Sequence, residues 1–166
     1  MNDTSTLVSP QDYREAMSRF SGTVSVLITD GPAGNAGATV SAVCSVSDNP
    51  ASLLVCLNRQ TRINSIVKEN ARFTINTLAG GQEDISNAFA GFGELSNDER
   101  FASAQWQTLP SGGLAIKGAR VTFDCELTEI NEVGTHSVVF AKVVAVRLGD
   151  ADQKALVYLD RAYRQV

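Results

Sequence analysis

Residues 37–47 read Gly37-Ala-Thr-Val-Ser-Ala-Val-Cys-Ser-Val-Ser47, and this stretch decides the fold. The run carries no charge, is rich in β-branched residues, and mixes small hydroxyl-bearing side chains with apolar ones. These features predict one strand over 37–47. Asp48-Asn49-Pro50 then supplies turn residues, and residues 52–58 form a second apolar run. The two strands are therefore expected to pair as a β-hairpin.

The hydroxyl groups of the first strand allow two interpretations. Small side chains leave room for a flat aromatic ligand, and hydroxyl and backbone groups can hydrogen-bond to it. The same pattern is equally typical of the polar outer face of an ordinary sheet. The residues alone leave both interpretations open.

Length and composition indicate one globular domain over residues 1–166, with a polar segment 1–8 that is expected to be flexible. The chain has 166 residues, of which 43% are hydrophobic, and this is enough for a core. The net charge is −4 and no basic patch is visible, so we expect no nucleic-acid partner. No apolar run is long enough to span a membrane, and a cytoplasmic protein is expected.

Three cysteines, Cys44, Cys56 and Cys125, lie within apolar, strand-like runs. They form no Cys-x-x-Cys pair and their number is odd. The sequence therefore predicts buried, reduced thiols rather than a disulfide or metal ligands.

The rest of the chain predicts many strands and few helices. Ser9 and Pro10 start a helix whose apolar face is Tyr13, Ala16, Met17 and Phe20. Further helices are predicted after Thr61, with Ile63, Ile66 and Val67 inward, and over 82–92, with Ile85, Ala88, Phe89 and Phe92 on one face. The predicted strands cover 23–29, 72–78, 120–133, 135–148 and 155–159. Without repeated βαβ units, this order predicts a mostly antiparallel barrel with helical insertions.

Two arginines, Arg59 and Arg62, flank the predicted helix start at Thr61. A helix N-terminus with arginines beside it can bind an anion. A capped surface helix with solvated arginines is the commoner arrangement. The hydroxyl-rich strand nearby favours the phosphate of a bound cofactor.

His136 is the only histidine, and it follows Gly134-Thr135 at a predicted bend. Taken alone, a single histidine at a strand start is best interpreted as structural, and it rules out a histidine-based metal cluster. The segment Tyr158–Arg164 offers an aromatic ring and two arginines, Arg161 and Arg164, that could pair with a pyrophosphate. It could equally be a terminal strand with a solvated basic end.

Several of these motifs together resemble the small flavin reductases. The resemblance rests on residues 38–58 (ATVSAVCSVSDNPASLLVCLN), Gln11–Met17, Gly134-Thr-His136 and Tyr158–Arg161, which span nearly the whole chain. The family includes the reductase component of 4-hydroxyphenylacetate monooxygenase and the flavin reductase of the pyrimidine-utilisation pathway. One proline of the family's proline pair is missing at Asn49-Pro50-Ala51.

This resemblance implies an FMN-binding split barrel, a homodimer, and hydride transfer from NADH or NADPH to FMN or FAD. Reduced flavin would leave for a partner monooxygenase. The implied flavin-binding residues are Thr39, Val40, Ser41, Ala42, Ser45, Ser47, Asn58, Arg59, Thr61, Asn64, Phe89 and Ala90. His136 is implied as the catalytic-site residue that positions the nicotinamide, with Tyr158 and Arg161 also on the NAD(P)H side.

Three alternatives remain open. A reductase of cobalt corrins on the same scaffold would keep its flavin through turnover. A flavin-storing protein would bind flavin without oxidising NAD(P)H. A purely structural barrel module would bind no flavin.

Overall fold

The computed structural model describes residues 7–166, and the first six residues of the segment expected to be flexible lie outside this range. The helices are α1 (Pro10–Ser18), α2 (Arg62–Asn70), α3 (Glu83–Phe89) and α4 (Asn97–Ala102). The strands are β1 (Gly22–Thr23), β2 (Ser25–Thr29), β3 (Ala36–Val40), β4 (Val43–Asp48), β5 (Ala51–Asn58), β6 (Arg72–Thr77), β7 (Trp106–Thr108), β8 (Leu114–Ile116), β9 (Val121–Val133), β10 (His136–Leu148), β11 (Leu156–Leu159) and β12 (Ala162–Gln165). No helix in the described range is both long and apolar enough to cross a membrane.

The main sheet has seven antiparallel strands in the order β3-β2-β6-β9-β10-β5-β4. Strands β3 and β4 occupy its opposite edges, yet only Ser41 and Ala42 separate them in the chain. A two-residue link cannot cross a flat seven-stranded sheet, because each strand adds about 4.8 Å. The sheet must therefore curl until its edges meet, and the predicted antiparallel barrel is confirmed.

The single strand predicted over 37–47 is wrong, because the chain turns a corner at Ser41-Ala42 and continues as β4. The β-prone composition is uniform across this corner, so no residue pattern marks it. Strand β1 passes close to this corner, because a Cβ placed on Gly22 would lie only 3.1 Å from the Cβ of Ser41. The predicted hairpin is confirmed as the pair β4 and β5.

The barrel has a core on both faces of β2, whose five residues are all buried. Leu27 packs in one cluster with Val55, Phe73 and Val139. Val26 and Ile28, on the other face, pack in a second cluster that includes Phe89. The predicted inward face of α2 is also confirmed, because Ile63, Ile66 and Val67 are buried.

Two predicted elements differ at their ends. Helix α3 ends at Phe89, so Phe92 lies in a following 3₁₀ turn and is exposed instead of extending the apolar face. The predicted terminal strand is a hairpin of β11 and β12, because the chain reverses at Asp160-Arg161, where both residues have positive φ. Helix α4 was not predicted.

Helix α1 begins as predicted, with Ser9 Oγ accepting from the Asp12 backbone N–H at 3.0 Å and Pro10 in the first turn. Residues 7–166 leave its apolar face uncovered, since no residue of α1 is buried. Tyr13, Met17 and the nearby Phe20 are 59%, 43% and 72% exposed. The helix therefore presents an apolar surface outward.

The three cysteines are free, but only Cys125 is buried as predicted. Cys56 is half-buried and Cys44 is exposed. The prediction failed for Cys44 because β4 is an edge strand whose side chains mostly face outward. Burial and the neighbouring Asp124 carboxylate raise the pKa of Cys125 to about 12.

Candidate flavin site

A groove of about 350 Å³ lies between strand β3 and three helices. Its walls come from residues 36–39 of β3, residues 61–63 at the start of α2, residues 89–91 at the end of α3, and Asn97 and Arg100 of α4. Its volume falls within the range of about 300–1,000 Å³ that is usual for small-molecule sites. Among the predicted flavin-binding residues, it brings together Thr39, Thr61, Phe89 and Ala90.

The β3 wall depends on Gly37. A Cβ at this position would lie 2.6 Å from both Ile28 Cδ1 and Phe89 Cε1. Glycine therefore lets the Phe89 ring pack directly against the strand. Thr39 Oγ1 donates to the Ser86 carbonyl at 2.6 Å and so holds α3 against β3.

Two arginines make the groove electropositive, Arg62 at the start of α2 and Arg100 on α4. Thr61 occupies the N-cap position, but its Oγ1 donates to the Asn58 carbonyl at 2.7 Å and does not cap the helix amides. Arg62 is the first helical residue and is exposed. Arg100 is half-buried, and its Nε is buried with no hydrogen-bond partner among residues 7–166. Uncapped amides and two guanidinium groups favour an anion here.

Arg59 does not line this groove, because its guanidinium contacts the β9–β10 turn. Its Nε lies 3.0 Å from Glu132 Oε2, and its Nη1 donates to the Gly134 carbonyl at 3.2 Å. Asn58 is also occupied locally, since its Oδ1 accepts from the Gln60 backbone N–H at 2.9 Å. These two predicted flavin-binding residues thus lie with His136 instead.

Asn64 is only 3% exposed, and its side chain contacts other parts of the protein. Its Nδ2 donates to the Leu57 carbonyl at 3.3 Å and to Ser137 Oγ at 2.9 Å. The expected contact with a cofactor phosphate does not fit this burial. The amide instead joins α2 to the ends of β5 and β10.

The other predicted flavin-binding residues lie outside the groove lining. Val40 packs partly against the core, and Ser41 and Ala42 form the exposed corner between β3 and β4. Ser45 is exposed on β4, and Ser47 Oγ accepts from the Asn49 backbone N–H at 3.2 Å.

His136 is the first residue of β10 and is exposed. Its Nδ1 lies 2.8 Å from Thr135 Oγ1, and it stands opposite Asn58 of β5. The preceding Gly134 has φ 55°, which places it in the tight turn from β9. The sequence therefore placed the bend correctly, and the turn presents the imidazole at the surface.

Glu132 connects the groups around this turn. A hydrogen bond from Lys68 Nζ at 2.6 Å and one from Ser137 Oγ at 2.7 Å hold the pKa of the Glu132 carboxyl below its usual value, and the charges of Lys68 and Arg59 act in the same direction. The carboxylate thus stays ionised between two cations.

Tyr158 lies on β11 of the three-stranded sheet β1-β11-β12, and Arg161 lies in the turn between β11 and β12. The Tyr158 ring packs edge-on against Tyr163 at 5.4 Å between centroids. Arg161 Nη2 lies 2.7 Å from Glu15 Oε2, and its hydrogen bond and charge lower the pKa of Glu15. Arg164 is exposed at the end of this sheet.

Hydrogen bonds tie this small sheet to the groove. The Tyr163 hydroxyl lies 2.8 Å from Ser86 Oγ and donates to Asn87 Oδ1 at 2.9 Å. The Ser86 carbonyl in turn accepts from Thr39. The ring pair Tyr158–Tyr163 is therefore anchored to the helix that closes the groove.

Sequence reasoning missed Arg100, Asn97 and Gly91 as groove residues. The capping box of Ser96 and Glu99 could have predicted α4. No sequence signal shows on which side of the barrel that helix packs.

Comparisons with known proteins point to flavin chemistry. A family model described as "Flavin reductase like domain" matches residues 17–166. The chain is 45% identical over 159 residues to the FMN reductase (NADH) RutF of Serratia proteamaculans, covering 96% of this chain and 89% of that protein.

Solved structures share the fold. A protein from Haemophilus somnus described as a candidate flavin reductase is 40% identical with a TM-score of 0.90, covering 96% of this chain and all of that one. The styrene monooxygenase flavin reductase of Pseudomonas putida has a TM-score of 0.80 at 22% identity, over 92% of this chain and 96% of that one, and it supports the fold alone.

Proposed function

Because this chain belongs to the flavin reductase family, whose domain model covers residues 17–166, we propose that it reduces FMN with NADH and releases the reduced flavin. The relatives named FMN reductase (NADH) favour this pair of substrates over FAD and NADPH. The observation that carries the proposal is the groove along β3, where Gly37 lets the Phe89 ring pack against the strand. Residues 7–166 supply no acidic partner for the two arginines that line it.

The groove residues fit a flavin. The ring system would lie along β3 beside Thr39, with Phe89 and Ala90 on the opposite wall and Thr61 at the polar end. Val40, Ser41 and Ala42 would extend the ring contact to the corner, and Ser45 and Ser47 would flank it on β4. When bound, flavin supplies the hydride acceptor, its N5 atom.

The nicotinamide side is proposed around His136. The imidazole is exposed at the turn between β9 and β10, where it can orient a nicotinamide by hydrogen bonding or ring packing. Hydride transfer between the two cofactors requires no protein acid or base, so the role of His136 is positioning. Tyr158 and Arg161 would contact the same cofactor from the small sheet.

We also propose a cytoplasmic homodimer that supplies a partner monooxygenase. The uncovered apolar face of α1, with Tyr13, Met17 and Phe20, supports burial against a second copy. Reduced flavin, rather than a protein contact, would link the reductase to its oxygenase.

Anaerobic stopped-flow absorbance of the oxidised flavin band tests the proposal. Purified protein is mixed with FMN or FAD and with NADH or NADPH, with flavin in excess over protein. Rapid bleaching of the excess flavin is expected, fastest with FMN and NADH. Bleaching of a single equivalent per site would instead indicate a tightly held flavin and another acceptor, such as a cobalt corrin. Flavin binding without bleaching would indicate storage.

A further inference from the structure

Side-chain hydrogen bonds join strand β12 to helix α3. The Tyr163 hydroxyl donates its single proton to Asn87 Oδ1 at 2.9 Å, and it therefore accepts from Ser86 Oγ at 2.8 Å. Gln165 Nε2 donates to Glu83 Oε1 at 2.9 Å, near the start of the same helix. Ser86 is fully buried, so its hydrogen bond is formed away from competing water. The position of α3 therefore depends on β12.

Helix α3 also forms a wall of the groove. Thr39 Oγ1 of β3 donates to the Ser86 carbonyl at 2.6 Å, and Phe89 and Ala90 at the end of the helix line the groove. Tyr163 packs against the apolar cluster that contains Phe89. A shift of Tyr163 would thus reach the residues that are proposed to contact the flavin.

Tyr163 is paired with Tyr158, the residue proposed to contact the nicotinamide cofactor. The two residues stand opposite each other on β12 and β11, with ring centroids 5.4 Å apart and an interplanar angle of 67°. Tyr158 is 42% exposed, whereas Tyr163 is half-buried. A cofactor that binds against Tyr158 would therefore contact the ring that packs on Tyr163.

The turn between these two tyrosines is held in place by helix α1. Asp160 and Arg161 have φ of 52° and 58°, a left-handed conformation that is unfavourable for residues with a Cβ. The Asp160 N–H donates to the Ser18 carbonyl at 2.7 Å, and Arg161 Nη2 lies 2.7 Å from Glu15 Oε2. The hairpin is thus fixed by α1 at its turn and by α3 at Tyr163.

We propose that Tyr163 is a positioning residue that couples nicotinamide binding to flavin binding through α3. This inference rests on the proposed function and extends it. NADH bound against Tyr158 would restrict the pair of tyrosine rings, and the Tyr163 hydroxyl would transmit this restriction to Ser86 and Asn87. FMN would then meet a groove wall that is already ordered, so each cofactor should raise the affinity of the protein for the other.

Equilibrium titration with FMN and NAD⁺, followed by flavin fluorescence, tests this coupling, because NAD⁺ cannot reduce the flavin. Saturating NAD⁺ should lower the Kd for FMN about fivefold in the wild type. Tyr163→Phe keeps the ring and removes the hydroxyl, so this ratio should fall to about one while the Kd for FMN alone changes less than about twofold.

Thr128→Val is the matched control for the loss of one hydroxyl. The Thr128 hydroxyl is exposed on β9 and donates to the Phe140 carbonyl at 3.2 Å. Because this hydrogen bond contacts neither α3 nor the hairpin, the variant should keep the Kd for FMN and the wild-type response to NAD⁺.

Trp106 gives a second readout that needs no flavin. It is the only tryptophan, and its ring packs edge-on against Phe89 with 6.3 Å between centroids. Adding NAD⁺ should change the Trp106 emission of the wild type and leave that of Tyr163→Phe unchanged. If Tyr163 only stabilised the fold, the response of the emission to NAD⁺ would persist in the variant.

Ser86→Ala removes the other end of the hydrogen bond and keeps the inference testable if Tyr163→Phe does not fold. It should lose the response of the FMN affinity to NAD⁺ to the same extent as Tyr163→Phe. The double variant should lose no more than either single variant, because both changes break one shared contact.

Three results would overturn the inference: a wild-type Kd for FMN that does not respond to NAD⁺, a wild-type response in Tyr163→Phe, and additive losses in the double variant. Bleaching of FMN by NADH is measured on the same wild-type preparation. Bleaching without coupling would reject the inference and keep the proposed reductase activity. Coupling without bleaching would support the inference and reject that activity.

Discussion

Arg59 Nε lies 3.0 Å from Glu132 Oε2, and this contact joins the end of β5 to the turn that presents His136. The same arginine donates from Nη1 to the Gly134 carbonyl and from its backbone N–H to the Thr135 carbonyl, at 3.2 and 2.9 Å. Arg59 therefore acts on the turn and not on the groove. In the proposed reaction it is a positioning residue.

Replacing Arg59 with methionine should raise the KM for NADH about fivefold and leave the Kd for FMN unchanged. The expected size corresponds to a loss of about 1 kcal/mol from a less ordered turn. Lys68→Met is the matched control, because Lys68 also pairs with Glu132, at 2.6 Å, but does not contact the turn. Equal effects of the two variants would contradict the positioning role, as would an altered flavin Kd in Arg59→Met.

His136→Ala should raise the KM for NADH with little change in flavin affinity, because the imidazole is exposed away from the groove lining. Thr135→Val provides the comparison, since it removes only the hydroxyl 2.8 Å from Nδ1. It should give a smaller effect in the same direction. Steady-state kinetics with varied NADH measure the KM, and a flavin titration measures the flavin affinity. Unchanged nicotinamide kinetics in His136→Ala would remove this residue from the proposed site.

The ionisation of Glu132 should make part of the stability dependent on pH. Hydrogen bonds from Lys68 and Ser137 lower its pKa below the ordinary value of 4.5. The contribution of Glu132 to the free energy of unfolding is therefore fully present above about pH 4.5. It is lost as the pH falls through the pKa of Glu132 in the folded state.

Thermal melts of wild type and Glu132→Gln across this range give the measurement. The difference in Tm should be largest near neutral pH and should shrink in acid. Glu129→Gln, an exposed change on the same strand, should show no such trend. A Tm difference that stays constant down to acid pH would argue against an ionised Glu132 in the folded state.

The sequence predicted elements that depend on local pattern and missed relationships that depend on distant pairing. The inward face of α2 follows from the spacing of Ile63, Ile66 and Val67. The corner at Ser41-Ala42 exists only because β3 and β4 pair with different strands at opposite edges of the sheet. No pattern within the run itself could reveal this.

Contacts between residues far apart in sequence also decide which side chains line the candidate site. Thr39, Thr61 and Phe89 are expected at a flavin site, and the groove brings them together. Arg59 was assigned to the cofactor because its neighbours in sequence suggested an anion site, whereas Glu132 reaches it from a distant strand. Arg100 is close to the groove only because of how α4 packs. Side-chain partners far apart in sequence thus decide which arginines are free.

Asp124→Ala should destabilise the fold by roughly 1–3 kcal/mol, because it removes the buried acceptor of several hydrogen bonds while the Arg72 guanidinium stays partly solvated. The Asp124 carboxylate is fully buried, and its Oδ2 accepts from Arg72 Nη2 at 2.7 Å and from the Gly113 backbone N–H at 3.2 Å. Urea unfolding measures the free energy of unfolding. Asp152→Ala, an exposed change, is the control and should cost under about 0.5 kcal/mol. Equal stability of the two variants would contradict the structural role of this ion pair.

Gly37→Ala should weaken FMN binding and lower the free energy of unfolding by about 1–3 kcal/mol, the usual cost of overpacking. The new methyl group would lie 2.6 Å from both Ile28 Cδ1 and Phe89 Cε1, so the ring must move into the groove. Adding Phe89→Leu removes the clashing ring edge but leaves the contact with Ile28, so it should recover only part of the stability. Flavin fluorescence titration and urea unfolding of the three proteins test this. If Gly37→Ala alone kept the stability and the FMN affinity of the wild type, Gly37 would not set the position of Phe89.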